Sequence, residues 1–217
     1  MLKRVFIFCW IIFISGCGTV STVRPLPVGQ NALSLSVGGP IAELPGIADV
    51  PLPYSTLRYR WGVYKNLEAH IGLHPTMLVF GTIGLDAGLS YELIHGSKLT
   101  PSLVAGINPT FWINPFNRAA GFSPEAEAVA SWTIGKNLLV YSGGQAFFQL
   151  EKPYVPWAAL IGWECRFGAA GLGIEAKWYA PTENSEYRVV RFPLSPGKMG
   201  AFGAVVGFSL YPGGRDG

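Results

Sequence analysis

Residues 33–37 read Leu-Ser-Leu-Ser-Val, and that two-residue period returns along nearly the whole chain. Strict alternation marks a strand with two unlike faces, because successive side chains point to opposite sides of the pleat. Leu33, Leu35 and Val37 oppose Ser34 and Ser36, while Leu57, Tyr59 and Trp61 oppose Thr56, Arg58 and Arg60. Leu67, Ala69, Ile71 and Leu73 oppose Glu68, His70, Gly72 and His74. Residues 84–93, 99–108, 125–134, 155–167, 172–180 and 201–211 repeat the pattern, and 137–148 reads as a strand of undecided phase. Ten strands of about nine to twelve residues result. Helical three-four spacing is nearly absent, and 17 prolines interrupt what there is.

The apolar faces are too apolar for water. Charged residues make up 13% of the chain and the mean hydropathy is +0.31, against about 25% charged residues in ordinary soluble domains. The polar faces are mostly Gly, Ser, Ala and Thr, a sparse coat for a solvated exterior. No run beyond residue 14 is long enough to cross a membrane as a helix, which takes about 20 apolar residues.

The connections alternate in length. Those at 62–65, 95–98, 135–137 and 168–171 are tight, and those at 38–53, 109–122 and 181–198 are long. That is an up-and-down antiparallel meander with all short turns on one side. With an even strand count, both ends of the barrel segment emerge on that side too. Tyr59, Trp61, Tyr91, Trp132, Trp163 and Phe167 fall on apolar faces near the short-turn ends. Trp112, Trp157 and Trp178 fall near the long-loop ends, so two aromatic rims are expected.

This combination resembles bacterial outer-membrane β-barrels, which share an even strand count, short periplasmic turns and long outer loops. The resemblance implies an all-β transmembrane barrel of about 10 strands. Residues Phe208–Tyr211 are similar to the aromatic-ended final strand that the barrel-assembly machinery recognises. At the other end, Lys3 and Arg4 precede an apolar run from Val5 to Ile14, as in a secretory signal. The order Ile14-Ser15-Gly16-Cys17 resembles the lipobox of bacterial lipoproteins. It implies cleavage before Cys17, acylation of that cysteine with fatty acid such as palmitate, and handling by lipoprotein-sorting machinery. The expected organisation is a signal peptide (1–16), a periplasmic tether (17–29), a barrel (30–212) and a C-terminal tail (213–217). The lipid would sit on the periplasmic side of the outer membrane.

Chemistry is thinly marked. Losing Lys3 and Arg4 lowers the formal charge from +3 to +1, so no basic stripe for nucleic acid exists. Cys9 would leave with the signal and Cys17 would carry lipid, so Cys165 has no partner for a disulfide. There is no P-loop, dinucleotide fingerprint, HExxH or CxxC, and neither cofactor nor metal is expected. The candidate site is a lumen charge network of Arg58, Arg60, Glu68, Glu92, Glu164, Arg166, Glu175 and Lys177. Turn positions predict Arg60 opposite Glu68, Arg166 opposite Glu175, and Glu164 opposite Lys177. Such a lumen is filled by charge pairs, and the protein has a structural, adhesive or surface-binding role among outer-membrane lipid. Two alternatives stand beside it. One is a soluble lipocalin-like barrel with its apolar face inward; the other is an outer-membrane lipid hydrolase using His74 with Ser123 and Glu125 or Glu127. The ligand is not named by any motif.

Overall fold

The computed structural model describes residues 18–44, 48–97, 100–150, 154–185 and 192–212. The signal, Cys17 and the tail at 213–217 lie outside the described residues. Thirteen strands follow in chain order: β1 (Asn31–Leu44), β2 (Ala48–Pro51), β3 (Tyr54–Tyr64), β4 (Leu67–Leu73), β5 (Ile83–Ile94), β6 (Ser102–Ile107) and β7 (Thr110–Asn114). Then come β8 (Ala119–Ser123), β9 (Glu125–Ile134), β10 (Leu138–Phe147), β11 (Trp157–Phe167), β12 (Ala170–Asn184) and β13 (Met199–Leu210). A five-residue helix, α1 (Pro75–Val79), sits between β4 and β5.

Ten of these strands close into an antiparallel barrel, each paired with its chain neighbour, and β1 meets β13 with Leu33 opposite Leu210. The ten alternating segments are those ten barrel strands. The other three extend the long-loop side: β2 folds onto the end of β1, and β7 and β8 form a hairpin on β5. Residues 109–122, expected as a loop, are mostly that hairpin. It continues β6 and β9 past breaks at Asn108–Pro109 and Pro124, where proline has no N–H for the ladder.

Apolar side chains face out and polar ones in. Leu33, Leu35, Leu57, Leu85, Leu89, Ile161, Val206 and Phe208 are exposed on the outer wall, while Thr56, Arg58, Glu68, His70, Asp86, Glu127, Glu175 and Lys177 are buried within. The lipocalin-like alternative requires the reverse, and the chain does not form it. In β10 the odd residues Leu139, Tyr141 and Gln145 point inward. The phase was illegible because Leu138 and Leu139 suit either face.

The outer aromatic rim needs one correction. Trp157 is exposed, but Trp112 is 6% exposed and packs inside with Tyr54 and Met77 of α1. Because β7 continues the phase of β6, even-numbered residues from Ser102 to Asn114 all stay inward. On the other rim Tyr59, Tyr91, Trp132 and Phe167 are exposed, as an outer band requires.

Residues 18–27 are the largest departure from expectation. They are not a tether outside the barrel: Thr19, Ser21, Thr22, Val23 and Leu26 are buried inside it. Gly18 lies against Tyr54 and the Gly38 carbonyl, at the first residue of β3 on the long-loop side. The segment descends the lumen and leaves at the short-turn end, where Val28 bridges Gly62, Gly29 N–H donates to Gly62 O at 3.1 Å and Gly62 N–H donates to Gln30 O at 2.9 Å. Any side chain at 62 would collide with the Pro27 and Leu26 carbonyls, so glycine is required there. Val20 seats on Gly207 and Gly173, Val23 joins Val129, Leu139, Tyr141 and Leu160, and Leu26 joins Ala32 and Tyr211.

The outward wall carries a testable cost. Ala128 and the 60% exposed Ile161 face out at mid-strand. Ala128→Arg and Ile161→Arg should each destabilise the barrel in lipid by about 2–4 kcal/mol, read as a lower urea midpoint for heat-modifiable gel mobility. Unchanged midpoints for both would mean that this face does not meet hydrocarbon. Ser131→Arg, which an empty lumen would tolerate, is expected to be costly as well, because Ser131 is buried beneath the filled interior.

Candidate functional site

The lumen is organised in three tiers of polar side chains around the N-terminal segment. At the long-loop end Asp86 collects three partners: Arg58 Nε at 2.9 Å, His74 Nε2 at 2.8 Å and His70 Nε2 at 3.3 Å. The other ring nitrogen of His74, Nδ1, lies 2.6 Å from the Tyr54 hydroxyl. Asp86 and both histidines are buried, and Met77 of α1 packs over His74 and Gly84. Neither nitrogen of His74 faces a serine. Among the described residues the partners of the His74 ring are Asp86 and Tyr54, not the expected serine and glutamate, and Glu127 bonds instead to Thr22 and Gln145.

The middle tier grips the segment's backbone. Lys177 Nζ reaches Glu175 Oε1 at 2.8 Å, Gln145 Oε1 at 2.8 Å and the Thr19 carbonyl at 2.7 Å. Glu175 Oε2 accepts the Ser21 N–H at 3.1 Å, and Glu127 Oε1 accepts the Thr22 N–H at 3.3 Å. In the lower tier Glu68 holds Arg60 in a fork of 2.7 and 2.9 Å and also accepts the Leu26 N–H at 2.9 Å. Three wall carboxylates and one lysine therefore satisfy a chain that has no ladder partner at these positions. An unsatisfied buried backbone group would be costly, and charge-assisted bonds to backbone N–H are strong ones.

Every residue of the expected charge network faces the lumen or its rim, but several pairings differ. Arg166 and Glu164 bond to each other at 2.6 Å within β11, and Glu175 and Lys177 pair within β12. The expected cross-strand partners of Arg166 and Glu164 are not made, whereas the expected Arg60–Glu68 pair is. The β11–β12 turn is Gly168–Ala169, with Gly168 at φ 58, so Arg166 lies opposite Gly171 and Glu164 opposite Gly173. That register differs by an even step from the expected one, which keeps every side chain on its face while changing its neighbours. Arg60 sits opposite His70 and meets Glu68 diagonally. Arg58 takes Asp86, and Glu92 lies at the short-turn rim, 3.2 Å from the exposed His95.

Asp86 and Gln145 were not singled out by sequence reasoning, nor was the 18–27 segment, and Glu127 was named only as an acid partner for His74. One signal for the segment was present: Val20, Val23 and Leu26 recur every three residues beside Pro25 and Pro27. Three is the period of an extended polyproline-type chain, not of a strand or helix.

Barrel, faces and lumen together define a transmembrane β-barrel occupied by its own N-terminal segment. No protein-family model matches the chain, and no curated protein matches it. It is similar in architecture to an outer membrane channel from Pseudomonas putida F1, at 12% identity and a TM-score of 0.44, over 89% of this chain and 100% of that one. It is also similar to an anion-selective porin from Comamonas acidovorans, at 16% identity and a TM-score of 0.33, over 86% of this chain. The match spans 57% of that porin's length. At this similarity neither protein assigns an activity to the chain.

Proposed function

We propose that this chain is an outer-membrane barrel held shut by residues 18–27, with a structural, adhesive or surface-binding role carried by its outer loops. The observation that carries the reading is the set of lumen carboxylates, Glu68, Glu127 and Glu175, that accept the segment's backbone N–H groups. The outward apolar wall and the exposed aromatic rim support an outer-membrane location. Acylation of Cys17 belongs to the same proposal.

A second reading is a gated channel. It is favoured by the way the segment is held: from Thr19 to Leu26 its polar anchors on the wall are side chains, so withdrawing it unpairs no strand.

Two measurements test the closed reading. A Cβ placed at Gly207 would lie 3.2 Å from the Val20 Cβ, near the Cβ spacing of about 3.5–4.5 Å in disulfides. Val20→Cys with Gly207→Cys should cross-link spontaneously in outer-membrane preparations, seen as a reductant-sensitive shift on gels. The wild-type protein in a planar bilayer should show no large steady conductance. A cysteine pair that stays reduced, or a wild-type barrel that conducts steadily, would overturn the plug.

A further inference from the structure

At the short-turn mouth a cavity of about 60 Å³ opens between the plug and the wall, lined by Arg24, Thr133, Lys136, Asn137 and Arg166 together with Leu138 and Leu139. Three cations meet there from three separate pieces of chain: Arg24 from the plug, Lys136 from the β9–β10 turn and Arg166 from the end of β11. Arg166 is positioned by Glu164 at 2.6 Å and by the Tyr211 ring, whose centre lies 4.7 Å from its guanidinium carbon. Arg24 Nη2 donates to Thr133 Oγ1 at 3.0 Å. Its Nε is buried and has no acceptor among the described residues. Among the described residues the ion pairs at this rim use Arg60, Arg166 and His95, and none uses Arg24 or Lys136.

A buried charged donor without an acceptor is expensive, and a neighbouring cation makes it more so. The cost is removed by an acceptor that carries negative charge on several oxygens. The guanidinium fork matches such a group in geometry, and the cavity has room for several waters or one small anion. We propose that this mouth is a binding site for a small free oxyanion of the phosphate class, which ties the plug to the barrel wall. The inference rests on the closed-barrel reading, since Arg24 belongs to the plug. Thr133 shares the inward phase of Ser131 and Glu127 on β9, so the site opens to the water of the lumen mouth. The aqueous phase is therefore the source assigned, in preference to a lipid headgroup.

Inorganic phosphate titrated into the full-length protein in neutral detergent should give saturable one-to-one binding by calorimetry. Arg24→Gln and Lys136→Gln should each weaken it by about tenfold or more, the scale of one lost charge-assisted bond. Lys136 lies in an exposed turn, so its variant tests the site even where Arg24→Gln fails to fold. Equal affinity in wild type and the Lys136 variant would mean an adventitious ion only and would overturn the site. So would an absence of binding, or binding that appears only when phosphatidylglycerol vesicles supply the phosphate. Bilayer conductance decides the plug and phosphate titration decides the site, so the two can fail separately.

Discussion

Deleting residues 18–27 should convert a silent barrel into one that conducts ions steadily in a planar bilayer. A barrel of eight strands is just filled by its own inward side chains, and ten strands enclose more than that. Here the surplus is taken up by the N-terminal segment, whose Val20, Val23 and Leu26 fill the space between wall residues. Removing it frees Glu68, Glu127, Glu175 and Lys177 to face water instead of the segment's backbone. None of these groups is stranded by the deletion, because water replaces each lost partner. The barrel should therefore remain folded, and heat-modifiable mobility on gels checks that directly. Selectivity between small anions and cations should be weak, since the exposed wall carries both signs. A folded deletion variant that stays silent would show that something other than the segment closes the lumen. The obvious candidate is the cap of Met77, Tyr54 and Trp112 at the long-loop end.

The second large effect is expected at Glu175. This carboxylate and Lys177 are both 0% exposed, and among the described residues Lys177 has no other anionic partner at bonding distance. Glu175→Leu leaves a buried ammonium to two neutral oxygens, of Gln145 and Thr19, and removes the acceptor of the Ser21 N–H. Breaking a buried pair by deleting one member typically costs about 3–5 kcal/mol, and an orphaned buried N–H adds about 1–3 kcal/mol. The variant should lose most of its refolding yield and unfold at much lower urea. Glu175→Gln keeps an acceptor for both groups and should be milder. Combining Glu175→Leu with Lys177→Met removes both charges and should recover much of the loss, since replacing a whole buried pair by apolar groups is often near neutral. A Glu175→Leu protein as stable as wild type would mean that the lumen is wet enough to solvate Lys177 alone.

Much of the architecture was legible because a strand's two faces are written locally. The alternation at Leu33–Val37 or Leu57–Trp61 states which side meets lipid without reference to any distant residue, and loop lengths order the strands. Continuation of β6 into β7 was missed at Asn108–Pro109, where a proline reads as an end although the inward phase runs on to Trp112 and Asn114. The charge network was legible as a set of inward residues. Its partners were not, since a turn misplaced by two residues between Phe167 and Ala170 leaves every face correct and exchanges Glu175 for Gly171 opposite Arg166.

The sequence by itself determined the barrel: ten two-faced strands, apolar side out, with the charged residues inside. Only the tertiary structure decided what fills it. The bonds that place residues 18–27 in the lumen join positions far apart in the chain, Ser21 to Glu175 and Thr22 to Glu127 across 154 and 105 residues. Their donors are backbone N–H groups, which every residue but proline carries and no sequence pattern distinguishes. A closed wall with surplus room, and carboxylates that keep an oxygen free to accept a further bond, is what gives those common donors a place to bind.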